Sequence, residues 1–231
     1  MTAEPMRTDA VDPEWKWLYR VGGISGLVLG MSYIIIFPLY ARVGAPPSGG
    51  EARLTYLVGK TTVWWVILWL SVITNLLFVP LAFALYLSLK EINRGAMLIA
   101  TSFIGLFVTL DLAVTWSNYA SLLILGGDYV ASANELQRAM YVAAASYPSA
   151  VLASPLHVVY AIVILSSGIL FVGLVMLKGV FNEATAYVAI VTGILGIASM
   201  TRFSVVVIGN ALLATVWVLL VGYRLYRLGQ Q

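Results

Sequence analysis

Apolar residues fall in six blocks along this chain, at 20–41, 62–89, 96–124, 156–178, 184–201 and 204–226, and the stretches between them hold most of the charges. A helix rises about 1.5 Å per residue, so about 20 apolar residues cross the roughly 30 Å of a bilayer's hydrocarbon. Each block predicts a membrane-spanning helix. The fold class is all-α, a polytopic six-helix bundle. The second and third blocks exceed the required length and should tilt or project beyond the bilayer. Only Thr201, Arg202 and Phe203 separate the last two blocks, which predicts a tight antiparallel hairpin. The single membrane domain covers 18–226, preceded by a cytoplasmic segment 1–17 and followed by a tail 227–231.

Two of the intervening stretches carry further signals. Gly44-Ala45-Pro46-Pro47-Ser48-Gly49-Gly50 is rich in helix breakers, and Glu51 to Lys60 after it predicts a short interfacial helix. Ser132-Ala133-Asn134-Glu135 has the capping-box spacing, in which a hydroxyl and a carboxylate satisfy free amides at a helix start. Leu136, Met140, Ala143 and Tyr147 then share one face, so an amphipathic helix is expected to end near Pro148 and lie over the outer mouth of the bundle. Inside the first block Gly22, Gly26 and Gly30 leave one helix face bare, which lets another helix approach closely. That stripe has two readings, packing within one bundle or a homodimer or larger membrane complex.

Composition agrees with the pattern. The 231 residues are 61% hydrophobic and 10% charged, against soluble averages of roughly 45–50% and about 25%. The net charge of +3 is spread as caps on the blocks rather than gathered in a patch, which points to membrane lipids as partners and not to nucleic acid. Counting Lys and Arg on alternate sides puts eight (Arg7, Lys16, Arg20, Lys90, Arg94, Lys178, Arg224, Arg227) with the termini and five (Arg42, Arg53, Lys60, Arg138, Arg202) opposite. The positive-inside rule then predicts a cell-membrane protein with both ends cytoplasmic. Trp15, Trp17, Tyr19, Tyr223 and Tyr226 fit an inner aromatic belt, and Trp64, Trp65, Trp116 and Tyr119 an outer one. With no Cys and one His, His157, disulfides, thiolate sites, multi-His zinc and two-His haem fall away. No metal and no cofactor is expected.

The polar exceptions inside the blocks carry the candidate chemistry. In Val108-Thr109-Leu110-Asp111-Leu112-Ala113-Val114-Thr115-Trp116 one acid interrupts an apolar run, and a charge in hydrocarbon costs several kcal/mol on insertion scales. At 1.5 Å per residue Asp111 lies ~24 Å from the inner end of its block, and Asn75 and Asn210 lie ~21 Å from the inner ends of theirs. Thr115 and Asn118 share the Asp111 face, and Ser71 stands one turn from Asn75. His157 and Arg202 lie somewhat above. The expectation is an outward-facing polar pocket lined by Ser71, Asn75, Asp111, Thr115, Asn118, His157, Arg202 and Asn210. The alternatives are hydrogen bonds across helix contacts for the amides, an interfacial place for His157, and an Asp111–Arg202 ion pair. No HExxH, no paired aspartates and no lysine within a span is present. Ser154 near His157 lacks an orienting carboxylate.

The glycine-rich first helix, the span-ending ALYLSLKEINR (84–94), the loop segment LQRAMYVAAA (136–145), GLVMLKGVF (173–181) and the closing helical hairpin together resemble the bacterial membrane proteins grouped as domain of unknown function 4386, over roughly residues 18–226. The resemblance implies a six-helix membrane fold and no chemistry. The functional expectation therefore comes from the polar residues. It is a membrane protein that binds or helps to transport a small molecule, lipid or cation through a pocket around Asp111. The alternatives are a non-catalytic accessory subunit of a larger membrane complex and, third, an intramembrane enzyme.

Overall fold

The computed structural model describes residues 13–231; positions 1–12 of the predicted N-terminal segment, Arg7 among them, lie outside the described residues. The described residues are 89% helical, with no strand among them. Helix α1 (Lys16–Val43) is followed by the short α2 (Gly50–Val58) and by α3 (Thr61–Leu110). A π-helical turn, Asp111–Trp116, carries α3 into α4 (Ser117–Ala131). Then come α5 (Glu135–Ala153), the single turn α6 (Pro155–Val158), a second π-helical turn Val159–Val163, and α7 (Ile164–Met176). Helices α8 (Glu183–Ala198) and α9 (Ser204–Leu228) close the chain. Five continuous helical stretches are long and apolar enough to cross a membrane: Lys16–Val43, Thr61–Ala131, Pro155–Met176, Glu183–Thr201 and Ser204–Leu228.

The longest of these is folded back on itself. Asn93, inside α3, has extended backbone (φ −156°, ψ 91°), and its side-chain oxygen accepts from the Ala96 amide at 3.0 Å, capping the arm that follows. In a straight helix Asn75 and Asp111 would stand about 54 Å apart; their side chains are hydrogen-bonded at 3.0 Å. Phe78 and Phe107 likewise meet edge to face at 5.5 Å. The predicted loop at 90–95 is thus reduced to a break at one residue, because an Asx cap restarts the helix at once.

Helix α1 shows what solvent the bundle is built for. Its buried positions are mostly small (Gly22, Gly23, Ser25, Gly26, Gly30, Ser32), while Ile24, Val28, Met31, Ile34 and Ile35 face outward. In water the large side chains would turn inward; among lipid tails burying them gains nothing, and close backbone packing decides. Gly26 is pressed on Gly222 of α9, where a Cβ would come within 2.8 Å of the Gly222 Cα. Gly22 faces Ala84 and Pro80, and Gly30 faces Leu219. The glycine stripe is therefore occupied by the chain's own α3 and α9.

Two apolar clusters fill the interior. The larger joins α1, both arms of α3, α7, α8 and α9 around Leu85, Met97, Ile169 and Trp217. The smaller lies at the end covered by α2 and α5, around Leu54, Leu57, Trp64 and Leu122. Three members of the predicted outer aromatic belt belong to this core instead: Trp64 is fully buried, stacked on Tyr119 at 4.8 Å, and Tyr119 packs on Trp116 at 5.7 Å. Of the predicted inner belt, Trp17 and Tyr223 are exposed at the other end, whereas Tyr19 is buried in the larger cluster.

The helix predicted from Ser132 is shifted and turned. Asn134 is its cap, accepting from the Gln137 amide at 2.9 Å, while the Ser132 hydroxyl donates to the Tyr129 carbonyl. The helix runs through Pro148 to Ala153. Leu136 and Tyr147, expected on the packed face, are each 75% exposed. The packed face carries Ala145, Pro148, Ser149 and Leu152, and Gly50 of α2 sits directly against the Val142 carbonyl. Where this helix approaches α2, at Gly50, the backbone contact is too close for a large side chain, and Leu136, Met140 and Tyr147 face outward.

Candidate functional site

Asp111 is 5% exposed and opens the π-helical turn that ends at Trp116. In an α-helix, residues five apart stand about 140° apart around the axis, so the Trp116 ring would point away from the acid. The wider turn places it alongside. The indole Nε1 donates to Asp111 Oδ2 at 2.7 Å, and Asn75 Nδ2 donates to the same oxygen at 3.0 Å. The Asn75 amide also donates to the Ser71 carbonyl at 2.9 Å, which fixes its orientation. A second π-helical turn, Val159–Val163, packs against this one. Single π-turns recur at functional sites.

The other half of the site holds three more buried oxygens. Asp111 Oδ1, Asn75 Oδ1 and Thr115 Oγ1 are all buried without a hydrogen bond of acceptable geometry, although the Thr115 hydroxyl lies near enough to the carboxylate to interact with it. No cationic side chain pairs with Asp111 among the described residues. Tyr33, Tyr40 and Tyr119 lie within electrostatic range of the carboxylate. No group of three His, Cys, Asp or Glu that could hold a metal occurs among the described residues.

Of the eight predicted pocket residues, the structure brings Ser71, Asn75, Asp111 and Thr115 together. Asn118 is half-buried on the same helix, with its amide spent on the Val114 carbonyl at 2.6 Å. Asn210 belongs elsewhere: it donates to the Thr192 carbonyl of α8 at 2.7 Å and approaches Ser166 Oγ at 3.5 Å. Asn210 and Ser166 border a largely apolar cavity of about 160 Å3 between α1, α3, α7 and α9, whose walls include Tyr33, Phe37 and Phe78. The Asp111–Arg202 ion pair is not formed. Arg202 is exposed and donates to the Ala153 carbonyl at 3.0 Å, held there by its turn between α8 and α9. His157 is half-buried within electrostatic range of Arg53 and Arg202. Ser154, weighed as a nucleophile, caps α6 by accepting from the Leu156 amide.

Trp116 is the site member that sequence reasoning misplaced. An aromatic five residues after a lone intramembrane acid is the signal, but it has meaning only once a π-turn is known to lie there. Comparison of the chain with protein-family models, with curated proteins and with solved structures gives no significant match, so the chemistry of these residues carries the functional argument.

Proposed function

We propose that this is an integral membrane protein of six crossings that binds a small monovalent cation, a proton included, at Asp111, in a binding or transport-related role. The observation that carries the reading is the lopsided hydrogen bonding of the carboxylate. Oδ2 takes two N–H donors, whereas Oδ1 is buried without a hydrogen bond; the Thr115 hydroxyl lies near the carboxylate, and no cationic side chain pairs with it among the described residues. An unpaired carboxylate at membrane depth costs several kcal/mol, and a proton or cation taken up from water removes that cost. The two donors on Oδ2 hold the group in place whether or not Oδ1 is loaded.

Six crossings follow from counting the arms of α3 on either side of Asn93 as separate spans. The distribution of Lys and Arg supports an orientation with both termini in the cytoplasm and Asp111 in the outer half of the membrane. Membership of the domain of unknown function 4386 family is part of the same proposal, supported by the order of its motifs along the chain. Cys introduced at Asn93 should resist an impermeant thiol reagent in intact cells while Cys at Ser48 reacts; the chain has no Cys of its own to interfere. Labelling of both from outside overturns the six-crossing count.

The cation site is tested on purified full-length protein in detergent. Sodium chloride and ethylammonium chloride are titrated calorimetrically, and the infrared band of a protonated carboxylic acid is recorded in parallel. The expected result is either a saturable cation response or that band in the wild type, and loss of it in a folded Asp111→Asn variant. A wild type showing neither, or a variant showing the same response, overturns the proposal.

A further inference from the structure

A second group of unpaired polar atoms lies at the end of the bundle covered by α2 and α5. Arg53 stands on the buried stripe of α2 with Gly50, Leu54 and Leu57, and it is only 4% exposed. Its Nε donates to the Pro47 carbonyl at 3.0 Å, but Nη1 is buried with no hydrogen bond. No carboxylate pairs with Arg53 among the described residues. The groups acting on it electrostatically are the phenols of Tyr119 and Tyr56, and burial pushes the guanidinium below its ordinary value.

His157 lies in the first turn of α6, with Nε2 buried and unbonded. Arg53 and Arg202 both act on it electrostatically. Arg202 reaches this place from a left-handed residue (φ 59°) in the turn before α9, anchored on the Ala153 carbonyl. His157 thus lies within electrostatic range of two guanidiniums, Arg53 Nη1 and His157 Nε2 are both buried without a hydrogen-bond partner, and no carboxylate pairs with these groups among the described residues. A water molecule would satisfy the donors but not the charge, and an unpaired buried guanidinium is costly. Arginine's planar fork is suited to oxyanions.

We infer that Arg53 Nη1 and the His157 imidazole hold a phosphate-type oxyanion, with Arg202 at the rim of the site. The anion supplies the acceptors that both side chains lack, and its charge offsets the cationic cluster. This site is separate from the Asp111 carboxylate in residues and in sign, so it stands whether or not Asp111 binds a cation. Its oxyanion can come from the head group of an anionic phospholipid or from free phosphate.

The test uses the full chain, purified in a zwitterionic detergent and depleted of lipid. Inorganic phosphate is titrated in one arm and phosphatidylglycerol in mixed micelles in the other, with phosphatidylcholine as the control. The readouts are thermal melting and the fluorescence of Trp64, which packs on both Tyr119 and Tyr56. We expect one arm to saturate in the wild type and to weaken at least tenfold in Arg53→Gln and in His157→Gln. The exposed Arg138→Gln should match the wild type. Saturation by phosphate identifies the free anion, and saturation by phosphatidylglycerol alone identifies the lipid. If Arg53→Gln fails to fold, Arg53→Lys, which keeps the charge and loses the fork, should still weaken the response. Indifference of the wild type to both probes, or a response that survives both substitutions, overturns the inference and leaves a bridging water as the occupant.

Discussion

Asn75 and Asn210 are the same residue type, on apolar helices, equally far from the inner ends of their predicted blocks, 4% and 7% exposed, yet they serve different ends. Asn210 staples helices. Its amide donates to a backbone carbonyl of α8, in a place so tight that a Cβ on Gly196 would collide with Ser166. Asn75 instead donates to a carboxylate and to a carbonyl of its own helix, and its oxygen is left buried without a partner. A polar group spent on backbone contributes to packing. One that leaves acceptors unfilled around an acid keeps a place for something else.

The comparison can be broken by substitution, with melting and cation titration measured in one detergent. Asp111→Leu should have the largest effect: it orphans the Asn75 and Trp116 donors, lowers stability by about 3 kcal/mol, and abolishes the cation response. Trp116→Phe removes one donor to Oδ2 and should cost about 2 kcal/mol while tightening cation binding, since the carboxylate loses a group that stabilised its charge. Asn210→Ala should cost about 1 kcal/mol and leave cation titration unchanged. Asn118→Ala, which removes only a bond within its own helix, should stay within about 0.5 kcal/mol of wild type in stability and match it in binding. A cation response that disappears in Asn210→Ala and persists in Asp111→Leu would reverse the assignment of the two nodes.

These two amides also mark where sequence reasoning stops. The helices were legible because run length against bilayer thickness is a one-dimensional argument. The predicted block 204–226, for example, lies within the helix Ser204–Leu228. Height along the membrane normal is equally one-dimensional, and it grouped Asn75 with Asp111 as the structure does. The same arithmetic grouped Asn210 with them wrongly, because position around the bundle depends on which helices adjoin. Arg53 was counted as a loop charge, although its place on the stripe of Gly50, Leu54 and Leu57 could have marked it as buried. Leu136 and Tyr147 show a different limit. An apolar stripe predicts burial only when water is the alternative, and beside a membrane the large residues can face outward while small ones pack.

The π-turn at Asp111–Trp116 sets the register between the second arm of α3 and α4. Such a turn stores one residue beyond what an α-helix needs, and it acts as a phase slip in a screw. Displacing it by one turn toward α4 would rotate the residues it passes by about 100° while the flanking arms keep their seats. Trp116 would swing off Oδ2, and the carboxylate, short of a donor, would hold a proton or cation more firmly. A slip that changed the hold of the acid on a cation would, by linkage, be driven by that cation with the same free energy.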